Sequence, residues 1–382
     1  MRIFGYILAG ILIVACSRDD RTQNIGKRPD THKPVIGDKF YYGADLSYVN
    51  EMEDCGAVYY NLSGQQEDPY QIFKDEGANL IRVRIWHSPD WTSYSTLPDV
   101  KKTIQRAKDH GMEVLLDFHY SDTWADPDNQ LIPEAWLSVV NNTQVLSDSL
   151  YNYTYRILTE LAAAGLAPDI VQVGNEINPM ILQKGTPVWP IDWTRNATLI
   201  KRGIKAVRDA AAAADVEMSV MLHIAQPENA VWWFEQAAAN GVTDFDWIGL
   251  SYYPIWSEYN MNNVGSAFKE LISTYKKGLM VVETAYPFTL ENADNANNVM
   301  GSDALVAGYP ATQQGQLNYL KDLQDIIEDA GGSGLVYWEP AWVSTNCSTQ
   351  WGVGSHWDNT TLFDHDYKAT QGIKFYNGSL EE

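Results

Sequence analysis

Short apolar runs alternate with longer stretches of helical periodicity from Phe40 to Trp338. Eight runs are rich in β-branched or aromatic residues and are nearly continuous in apolar side chains, which predicts buried strands. The strands are predicted at Phe40–Asp45, Asn79–Trp86, Glu113–His119, Ile170–Val173, Met218–His223, Trp247–Tyr252, Leu279–Glu283 and Gly334–Trp338. Between them, apolar residues spaced three and four apart predict helices. These helices are Tyr70–Glu76, Val100–His110, Tyr151–Ala164, Arg195–Ala214, Val231–Asn240, Val264–Tyr275 and Gln313–Ala330.

The alternation of strands and helices predicts an α/β fold with a parallel sheet covered on both faces. The count of eight strands favours closure into a single (β/α)8 TIM barrel, with its domain over residues 37–382. An open doubly wound sheet is the alternative, but it would require a glycine-rich phosphate loop after the first strand. The stretch Gly43–Ser47 is not such a loop.

The charge balance narrows the classes of partner. The chain carries 27 Lys and Arg against 49 Asp and Glu, a net charge of −22. This charge disfavours nucleic acid and anionic membrane surfaces. The 14 Trp and 22 Tyr are high counts, and aromatic faces of this kind stack against the C–H surfaces of sugars.

Polar and aromatic residues collect where the predicted strands end, which is where (β/α)8 enzymes carry their chemistry. Glu176 follows the fourth strand and Glu283 ends the seventh. Two carboxyl groups facing each other across a barrel mouth are the equipment of glycoside hydrolysis. A metal site is the alternative for the strand-end histidines, but it would require a His-x-His pair after the first strand. Strand-end residues also include Asp45, Arg84, Trp86, His87, His119, Asp122, Asn175, His223, Tyr252, Tyr253, Trp338 and Glu339.

The segment Gly174–Glu176 and the residue Glu283 resemble the retaining (β/α)8 glycoside hydrolases. Within that superfamily, six motifs resemble family 53, the arabinogalactan endo-β-1,4-galactanases, and they span the whole predicted barrel. They are Gly43–Val49, Ile81–Trp86, Asp117–Pro127, Val173–Ile177, Ser251–Pro254 and Glu283–Pro287. The resemblance implies an endo-acting retaining hydrolase of β-1,4-galactan without a catalytic cofactor. A mannanase or glucanase of the same superfamily, or a non-catalytic surface glycan-binding protein, is the alternative.

The resemblance also implies roles for individual residues. Glu176 would be the acid/base, Glu283 the nucleophile, and Asn175 would hold the sugar hydroxyl beside the reacting carbon. Arg84 and Tyr252 would orient the nucleophile. Trp86, Trp338 and Trp342 would be stacking platforms, and the other substrate-binding residues would be Asp45, His87, His119, Asp122, Trp124, Ala125, Asp126, His223 and Tyr253.

Bacterial members of the family carry a structural calcium in the loop after the seventh strand, with ligands at alternate residues. Here Asn292, Asp294 and Asn298 keep that spacing, and oxygen ligands suit calcium. Ala296 departs from the pattern and would offer its carbonyl, while Ser355 and Asp358 would complete the shell from the loop after the eighth strand. A plain Asn-rich turn is the alternative.

The N-terminus has the features of a targeting segment. Residues 1–15 combine a positive charge at Arg2 with an apolar run too short to span a membrane, which predicts a signal peptide. The sequence Ile13–Cys16 resembles a bacterial lipobox, which implies lipidation of Cys16; an ordinary secretory signal is the alternative. Residues 16–36 read as a polar tether. The acidic residues after Ser17 resemble an export signal to the cell surface, so we expect an outer-membrane lipoprotein that contacts the membrane through its lipid anchor.

Two further cysteines, Cys55 and Cys347, follow the first and eighth predicted strands. These strands are neighbours in a closed barrel, so both loops emerge at the same face. An oxidising compartment permits a disulfide between them. Two free thiols are the alternative, since long loops can hold the sulfur atoms apart.

Overall fold

The computed structural model describes residues 39–380. The predicted signal peptide, the lipidation site at Cys16 and the tether lie outside the described residues. The described chain forms a closed barrel of eight parallel strands in sequential order, as the sequence predicts. The strands are β1 (Tyr41–Asp45), β2 (Leu80–Ile85), β3 (Glu113–Phe118), β4 (Ile170–Val173), β5 (Ser219–Ala225), β6 (Trp247–Ser251), β7 (Gly278–Glu283) and β8 (Gly334–Tyr337). Closure comes from β1 and β8, where Tyr41 pairs with Gly334 and Ala44 with Tyr337.

Helices connect successive strands and cover the barrel. They are α1 (Val49–Asp54), α2 (Pro69–Asp75), α3 (Leu97–Asp109), α4 (Thr143–Ala163), α5 (Trp193–Ala214), α6 (Pro227–Ala239), α7 (Val264–Tyr275) and α8 (Gln313–Asp329). Short 3-10 helices lie at Glu134–Val139, Pro254–Trp256, Ser302–Ala304, Asp358–Thr360 and Gln371–Leu380, and a small antiparallel hairpin joins Ser348–Thr349 to Gly352–Val353. No helix between residues 39 and 380 is long and apolar enough to cross a membrane.

The side chains of each strand alternate between two environments, because successive strand residues point to opposite faces. One set packs outward against the helices in the large core, for example Ile81, Val83 and Ile85 of β2. The other set points into the barrel. At its lower end this set forms a separate apolar layer of Leu80, Leu115, Ile170, Met221, Trp247, Met280, Val282 and Val336.

Above the apolar layer, the same alternation turns polar residues into the barrel. Arg82 lies two residues after Leu80, Asp117 two after Leu115, and Gln172 two after Ile170. All three are fully or almost fully buried. The barrel interior is therefore apolar at the amino ends of the strands and polar toward their carboxyl ends, which is where the candidate site lies.

Glu283 on β7 would break this alternation, because Val282 belongs to the inward apolar layer. The pairing of β6 with β7 shifts by one residue at this point: Leu250 pairs with Val281, but Ser251 pairs with Glu283. The shift is a β-bulge, a feature that re-aims the side chains beyond it. As a result, Glu283 points toward the barrel mouth together with the polar layer.

Candidate active site

A cavity of about 520 Å³ opens at the carboxyl ends of the strands. It brings together eleven of the residues predicted from the sequence: Asp45, Arg84, His119, Trp124, Ala125, Asp126, Asn175, Glu176, Glu283, Trp338 and Trp342. An adjoining cavity of about 400 Å³ shares Glu176 and Glu283 and extends past Tyr253 to Asn229 on α6. The two glutamates thus lie where the two cavities meet. This is the position expected of catalytic residues that cleave within a long chain.

Glu176 is held by the turn that ends β4. Gly174 has a φ of +92°, and Glu176 itself has a φ of +44°, a conformation that costs free energy for a residue with a side chain. The carboxyl Oε1 accepts a hydrogen bond from the Ser251 hydroxyl at 2.6 Å. Burial raises the pKa of the Glu176 carboxyl to about 7. A carboxyl with this pKa holds a proton near neutral pH and can donate it.

Glu283 has a cationic partner instead. Its Oε1 lies 2.8 Å from Nη2 of Arg82, whose side chain is 1% exposed. Burial raises the pKa of the Glu283 carboxyl well above its ordinary value; the Arg82 guanidinium opposes this shift, and the charge of Glu176 adds to it. Because the guanidinium contacts Glu283, the ion pair favours the negative charge on Glu283 and the proton on Glu176.

Arg82 links four groups of the site. Nη1 contacts Asp45 at 2.8 Å, and Nη2 contacts Asp117, Glu283 and the amide oxygen of Asn175 at 2.8 Å each. Burial alone would raise the pKa of Asp117, but Arg82 and His119 lower it below its ordinary value. Asp117 therefore stays ionised and fixes the guanidinium that in turn fixes Glu283.

The expected role of Arg84 as the residue that orients the nucleophile is wrong. Arg84 forms its ion pair with Glu339, and its guanidinium lies over the rings of Tyr48 and Trp124 at 4.3 and 4.5 Å. Arg82 was not among the residues chosen from the sequence, although it has the same inward parity two residues earlier. The strand continues past it, so a search restricted to strand ends overlooks it.

The same role is also wrong for Tyr252. Its side chain is fully buried in the outer core, with its ring 6.2 Å from that of Phe268. The neighbouring Tyr253 faces the adjoining cavity, and burial, together with the charges of Glu283 and Glu176, raises the pKa of its hydroxyl. The sequence motif therefore contains the tyrosine near the carboxyl groups, one residue later than expected.

Four other predicted substrate-binding residues support the site from behind. His223 is fully buried and contacts Asn175 and Ser251 through its two ring nitrogens, at 3.0 and 2.9 Å. Trp86 is 2% exposed, which leaves it too little surface to be a stacking platform, and the same holds for the predicted platform Trp342 in the cavity wall, which is 1% exposed. Asp122 accepts hydrogen bonds from the backbone of Ser88 and Glu134 and lies 3.4 Å from His87, so it ties loops together.

Asn175 has most of its hydrogen-bonding capacity engaged within the protein. Its oxygen accepts from Arg82, and its amide nitrogen donates to the carbonyl of Ala125 at 2.7 Å. His119 is fixed in a comparable way, since its Nε2 lies 3.1 Å from Asp117 and its Nδ1 accepts from the Ala125 amide. The wall beside Glu176 is thus rigid before any sugar binds, which reduces the entropy lost on binding.

Sequence reasoning missed six residues of the larger cavity: Arg82, Trp256, Val299, Trp351, His356 and Trp357. Apart from Arg82, they belong to the segments that follow β6, β7 and β8, beyond the barrel strand ends. The tryptophans bring the number of indole side chains that line this cavity to six, with Trp124, Trp338 and Trp342. An aromatic cleft with a pair of carboxyl groups is suited to a chain of pyranose rings.

The residues predicted to bind calcium do come together. The side chain of Asn298 donates hydrogen bonds to Asn292 and Asp358, both at 2.7 Å. Asp294 accepts from the backbone of Ala296 and Ser355 at 2.6 and 2.8 Å. Among residues 39–380, no group of three or more His, Cys, Asp and Glu side chains is suited to a metal. The predicted shell contains two such residues, and its other donors are amides, a hydroxyl and a carbonyl.

Cys55 and Cys347 form a disulfide, with their Cα atoms 5.7 Å apart. Cys55 is the C-cap of α1, and Cys347 immediately precedes the small hairpin in the loop after β8. The bond joins the loops that follow the two strands at which the barrel closes. It also fastens the segment that carries Trp351 to the body of the protein.

The closed barrel, with a buried Glu283 and a half-buried Glu176 in an aromatic cleft, defines a (β/α)8 glycoside hydrolase. The model of glycosyl hydrolase family 53 matches residues 41–376, and the chain belongs to that family. An arabinogalactan endo-β-1,4-galactanase of Cellvibrio japonicus is 55% identical over 85% of this chain and 86% of its own length. An endo-β-1,4-galactanase of Bacillus subtilis is 33% identical over 89% of this chain and 80% of its own.

The solved structures agree with this assignment. The GH53 catalytic domain of Ignisphaera aggregans superposes with a TM-score of 0.81 at 32% identity, covering 91% of this chain and 98% of that domain. A fungal β-1,4-galactanase superposes with a TM-score of 0.75 at 30% identity, covering 88% and 98%. The family resemblance and the barrel predicted from the sequence are therefore confirmed.

Proposed function

We propose that the protein is an endo-β-1,4-galactanase that cleaves galactan with retention of configuration. Glu176 is the acid/base, and Glu283 is the nucleophile. The observation that carries the proposal is the unequal environment of the two glutamates: a hydroxyl donor on Glu176 and a guanidinium on Glu283. The names of the relatives favour galactan over mannan or glucan as the substrate.

In the first step, the Glu283 carboxylate attacks the anomeric carbon while Glu176 gives its proton to the departing glycosidic oxygen. A covalent galactosyl ester on Glu283 results, and the leaving chain carries the proton away. In the second step, Glu176, now a carboxylate, takes a proton from water, which attacks the anomeric carbon and releases Glu283. The two inversions leave the product in the β-configuration.

Reducing-sugar release from a panel of galactan, mannan and glucan tests the substrate assignment, with Glu283→Gln as the inactive control. We expect release from galactan at least tenfold above that from the other two polysaccharides, and none from the variant. Proton NMR of the first product tests the stereochemistry. An α-anomer as the first product would contradict retention and require a wider separation of the carboxyl groups.

The glutamates also separate the enzyme hypothesis from a binding protein that kept the hydrolase fold. A pure glycan-binding protein has no need of a protonated Glu176 beside an ion-paired Glu283. Sodium azide offers a direct test, because a small anion can replace a missing nucleophile. We expect azide to restore cleavage by Glu283→Ala and to give a product of the opposite anomeric configuration; unrestored activity with an intact fold would count against the nucleophile assignment.

We further propose a structural calcium in the loops after β7 and β8. The Asn298 Oδ1 atom is buried without a hydrogen-bond partner, and it belongs to the same cluster as the carboxylates of Asp294 and Asp358. Burial raises the pKa of Asp358, and the charge of Asp294 raises it further. A bound cation would offset both the burial of the Asp358 charge and its repulsion by Asp294. A buried oxygen without a donor beside two carboxylates fits calcium. Asn292, Asp294, Asn298 and Asp358 would hold it, with Ser355 and the Ala296 carbonyl nearby.

Thermal unfolding in calcium and in EDTA tests this site without reference to activity. We expect calcium to raise the Tm of the wild type by several degrees and to leave Asp294→Asn unchanged. An equal response of the two proteins would show that calcium acts elsewhere. Asp303→Asn, which alters an exposed aspartate outside the cluster, is the matched control.

Finally, we propose that the protein is exported as a lipoprotein anchored through Cys16. The support is the lipobox-like sequence Ile13–Cys16 behind a short apolar run. Labelled palmitate should enter the wild-type protein and not Cys16→Ser, and the wild type should fractionate with membranes. Protease added to intact cells would then report whether the barrel faces the outside. Full labelling of the serine variant would refute the assignment of Cys16.

A further inference from the structure

A second cluster of indole rings lies on the surface beyond the cleft. Trp189, in the loop after β4, is 55% exposed, and Trp232 on α6 is 42% exposed. Their ring centroids are 6.1 Å apart. With Val188, which is 58% exposed, they form what we call the outer tryptophan surface. Exposed clusters of large apolar side chains usually mark binding sites.

The rings of this surface are supported from below. Trp193, the first residue of α5, lies 6.5 Å from the Trp232 ring and 5.5 Å from the ring of the fully buried Trp233. Trp232 is carried by the regular helix α6, so its backbone position is set by the fold. The surface therefore has a packed base of further indole rings.

The loop that carries Trp189 is fastened at both sides of the exposed residues. The amide of Val188 donates a hydrogen bond to Oε1 of Gln183 at 2.9 Å, and Gln183 is 7% exposed. On the other side, Ile191 is 8% exposed and packs in the core. Anchors on both sides hold Val188 and Trp189 outward in one arrangement, which lowers the entropy cost of binding a ligand there.

The outer tryptophan surface continues the active-site cleft. Asn229 lines the cavity that contains Glu176 and Glu283. Trp232 lies three residues after Asn229 on α6, and residues three apart are neighbours on one helix face. Trp232 therefore shares a helix face with Asn229, about one turn from the cavity, and Trp189 lies beside Trp232.

We infer that the outer tryptophan surface binds a further stretch of the polysaccharide chain that occupies the cleft. The inference rests on the proposed function, because the ligand is the same neutral β-linked hexopyranose polymer. Indole faces accept the C–H faces of pyranose rings, as the tryptophans of the cleft would. The net charge of −22 disfavours an acidic glycan on this surface. The site adds affinity for long chains and leaves short oligosaccharides unaffected.

Binding is measured with the inactive Glu283→Gln protein, so that cleavage does not shorten the ligand. Affinity electrophoresis in gels containing long galactan compares this protein with the same protein carrying Trp189→Ala and Trp232→Ala. We expect the dissociation constant to rise about tenfold, the size of effect that exposed aromatic anchors contribute. Val145→Ala is the control for loss of an exposed apolar side chain, since Val145 is 42% exposed and belongs to a different element, α4.

Activity on two substrates separates this inference from the proposed function. In the active protein, the double tryptophan variant should lose about tenfold in kcat/KM on long galactan relative to its kcat/KM on galactotetraose. An unchanged ratio and an unchanged dissociation constant would overturn the inference. Failure of the wild type on both substrates would overturn the proposed function instead. Concentration-dependent self-association that the double variant loses would show a protein interface in place of a glycan site.

Discussion

At the residue scale, two influences act on the protonation of Glu176 in opposite directions, namely burial and a hydrogen bond from Ser251. Burial raises the pKa of its carboxyl to about 7, while the hydrogen bond from Ser251 lowers it. Ser251 is itself connected to His223, whose pKa burial and Arg82 lower well below its ordinary value. A neutral His223 can donate from Nε2 to the Ser251 oxygen and so orient the Ser251 proton toward Glu176.

The pH profile of cleavage should reveal this arrangement. The acid form of Glu176 is present below its pKa and is lost as the pH rises, so kcat/KM should fall about tenfold per pH unit above about pH 7. Ser251→Ala removes the donor that favours the ionised form, so the pKa should rise and the fall should begin at higher pH. Ser273→Ala on α7 is the control. A shift to lower pH in Ser251→Ala would contradict the hydrogen-bond direction.

The positive charge of Arg82 contributes to the stability of the fold as well as to the active site. It is 1% exposed and forms ion pairs with Asp45, Asp117 and Glu283. Removing one partner of a buried ion pair leaves uncompensated charge, which costs about 3–5 kcal/mol. Arg82→Met should therefore lower the free energy of unfolding by about that amount, measured by urea denaturation, and abolish cleavage.

The matched substitution is Arg156→Met. Arg156 is 60% exposed and its Nη1 lies 3.8 Å from Glu160, an i,i+4 surface pair. Surface substitutions of this kind usually change stability by less than about 0.5 kcal/mol. Similar losses in the two variants would show that the buried cluster around Arg82 contributes no more than a surface pair, against our account of the barrel interior.

At the scale of elements, hydrophobic periodicity predicted every strand of the barrel, because each has a face that packs on the helices. It predicted the helix starts less well: α4 begins at Thr143 and not at Tyr151, and α6 at Pro227 and not at Val231. The first turn of α6 holds Pro227 and polar residues, which hides its start, whereas in α4 the apolar repeat already begins at the buried Leu146 and the predicted start is simply too late. The short helix α1 was missed because its six residues span fewer than two turns, too few to show an apolar repeat.

Strand pairing was beyond the sequence in one respect that matters to the site. The alternation of apolar residues in β7 turns Glu283 outward, and the bulge opposite Leu250 and Ser251 turns it inward. A bulge depends on how two distant strands align, which periodicity within one strand does not report. The sequence motif identifies Glu283, whereas the direction of its side chain depends on how β6 and β7 pair in the barrel.

The turn after β4 offers a test of how an element aims a side chain. Gly174 has a φ of +92°, and a Cβ added there would lie 2.5 Å from Cγ2 of Ile177. Gly174→Ala must shift the backbone that carries Glu176, so we expect a loss of about 1–3 kcal/mol in the free energy of unfolding. We also expect kcat to fall by more than the loss of folded protein explains. Gly185→Ala, with open space around its Cβ, is the control. Wild-type kcat in Gly174→Ala would show that Glu176 tolerates displacement.

At the scale of the whole molecule, the sequence predicted the barrel from its eight apolar strands, and it predicted the carboxyl pair from the residues at the strand ends. It did not predict Trp256, Trp351, His356 or Trp357, which line the cavity from long loops. The positions of these loops depend on contacts such as that of His356 Nδ1 with the Asn297 carbonyl at 2.9 Å. Such contacts join segments distant in sequence, and no local pattern encodes them.

The disulfide between Cys55 and Cys347 acts on the same scale, because it encloses nearly the whole barrel. The two cysteines are 292 residues apart. Closing a loop of this length in the unfolded chain would stabilise the fold by roughly 5 kcal/mol from chain entropy. For a domain of this size, that corresponds to a Tm higher by roughly 5–10 °C.

Chemical reduction of the disulfide should lower the Tm of the wild type by that amount. The Cys55→Ser/Cys347→Ser double variant should have the Tm of the reduced wild type, with or without reductant. Thiol titration of the unfolded wild type should find two fewer free thiols before reduction than after. The bond also ties the loop of Trp351 to α1, so the double variant should bind galactan more weakly at temperatures where it remains folded. Equal melting of the oxidised wild type and the double variant would show that the barrel closes equally well through β1 and β8 alone.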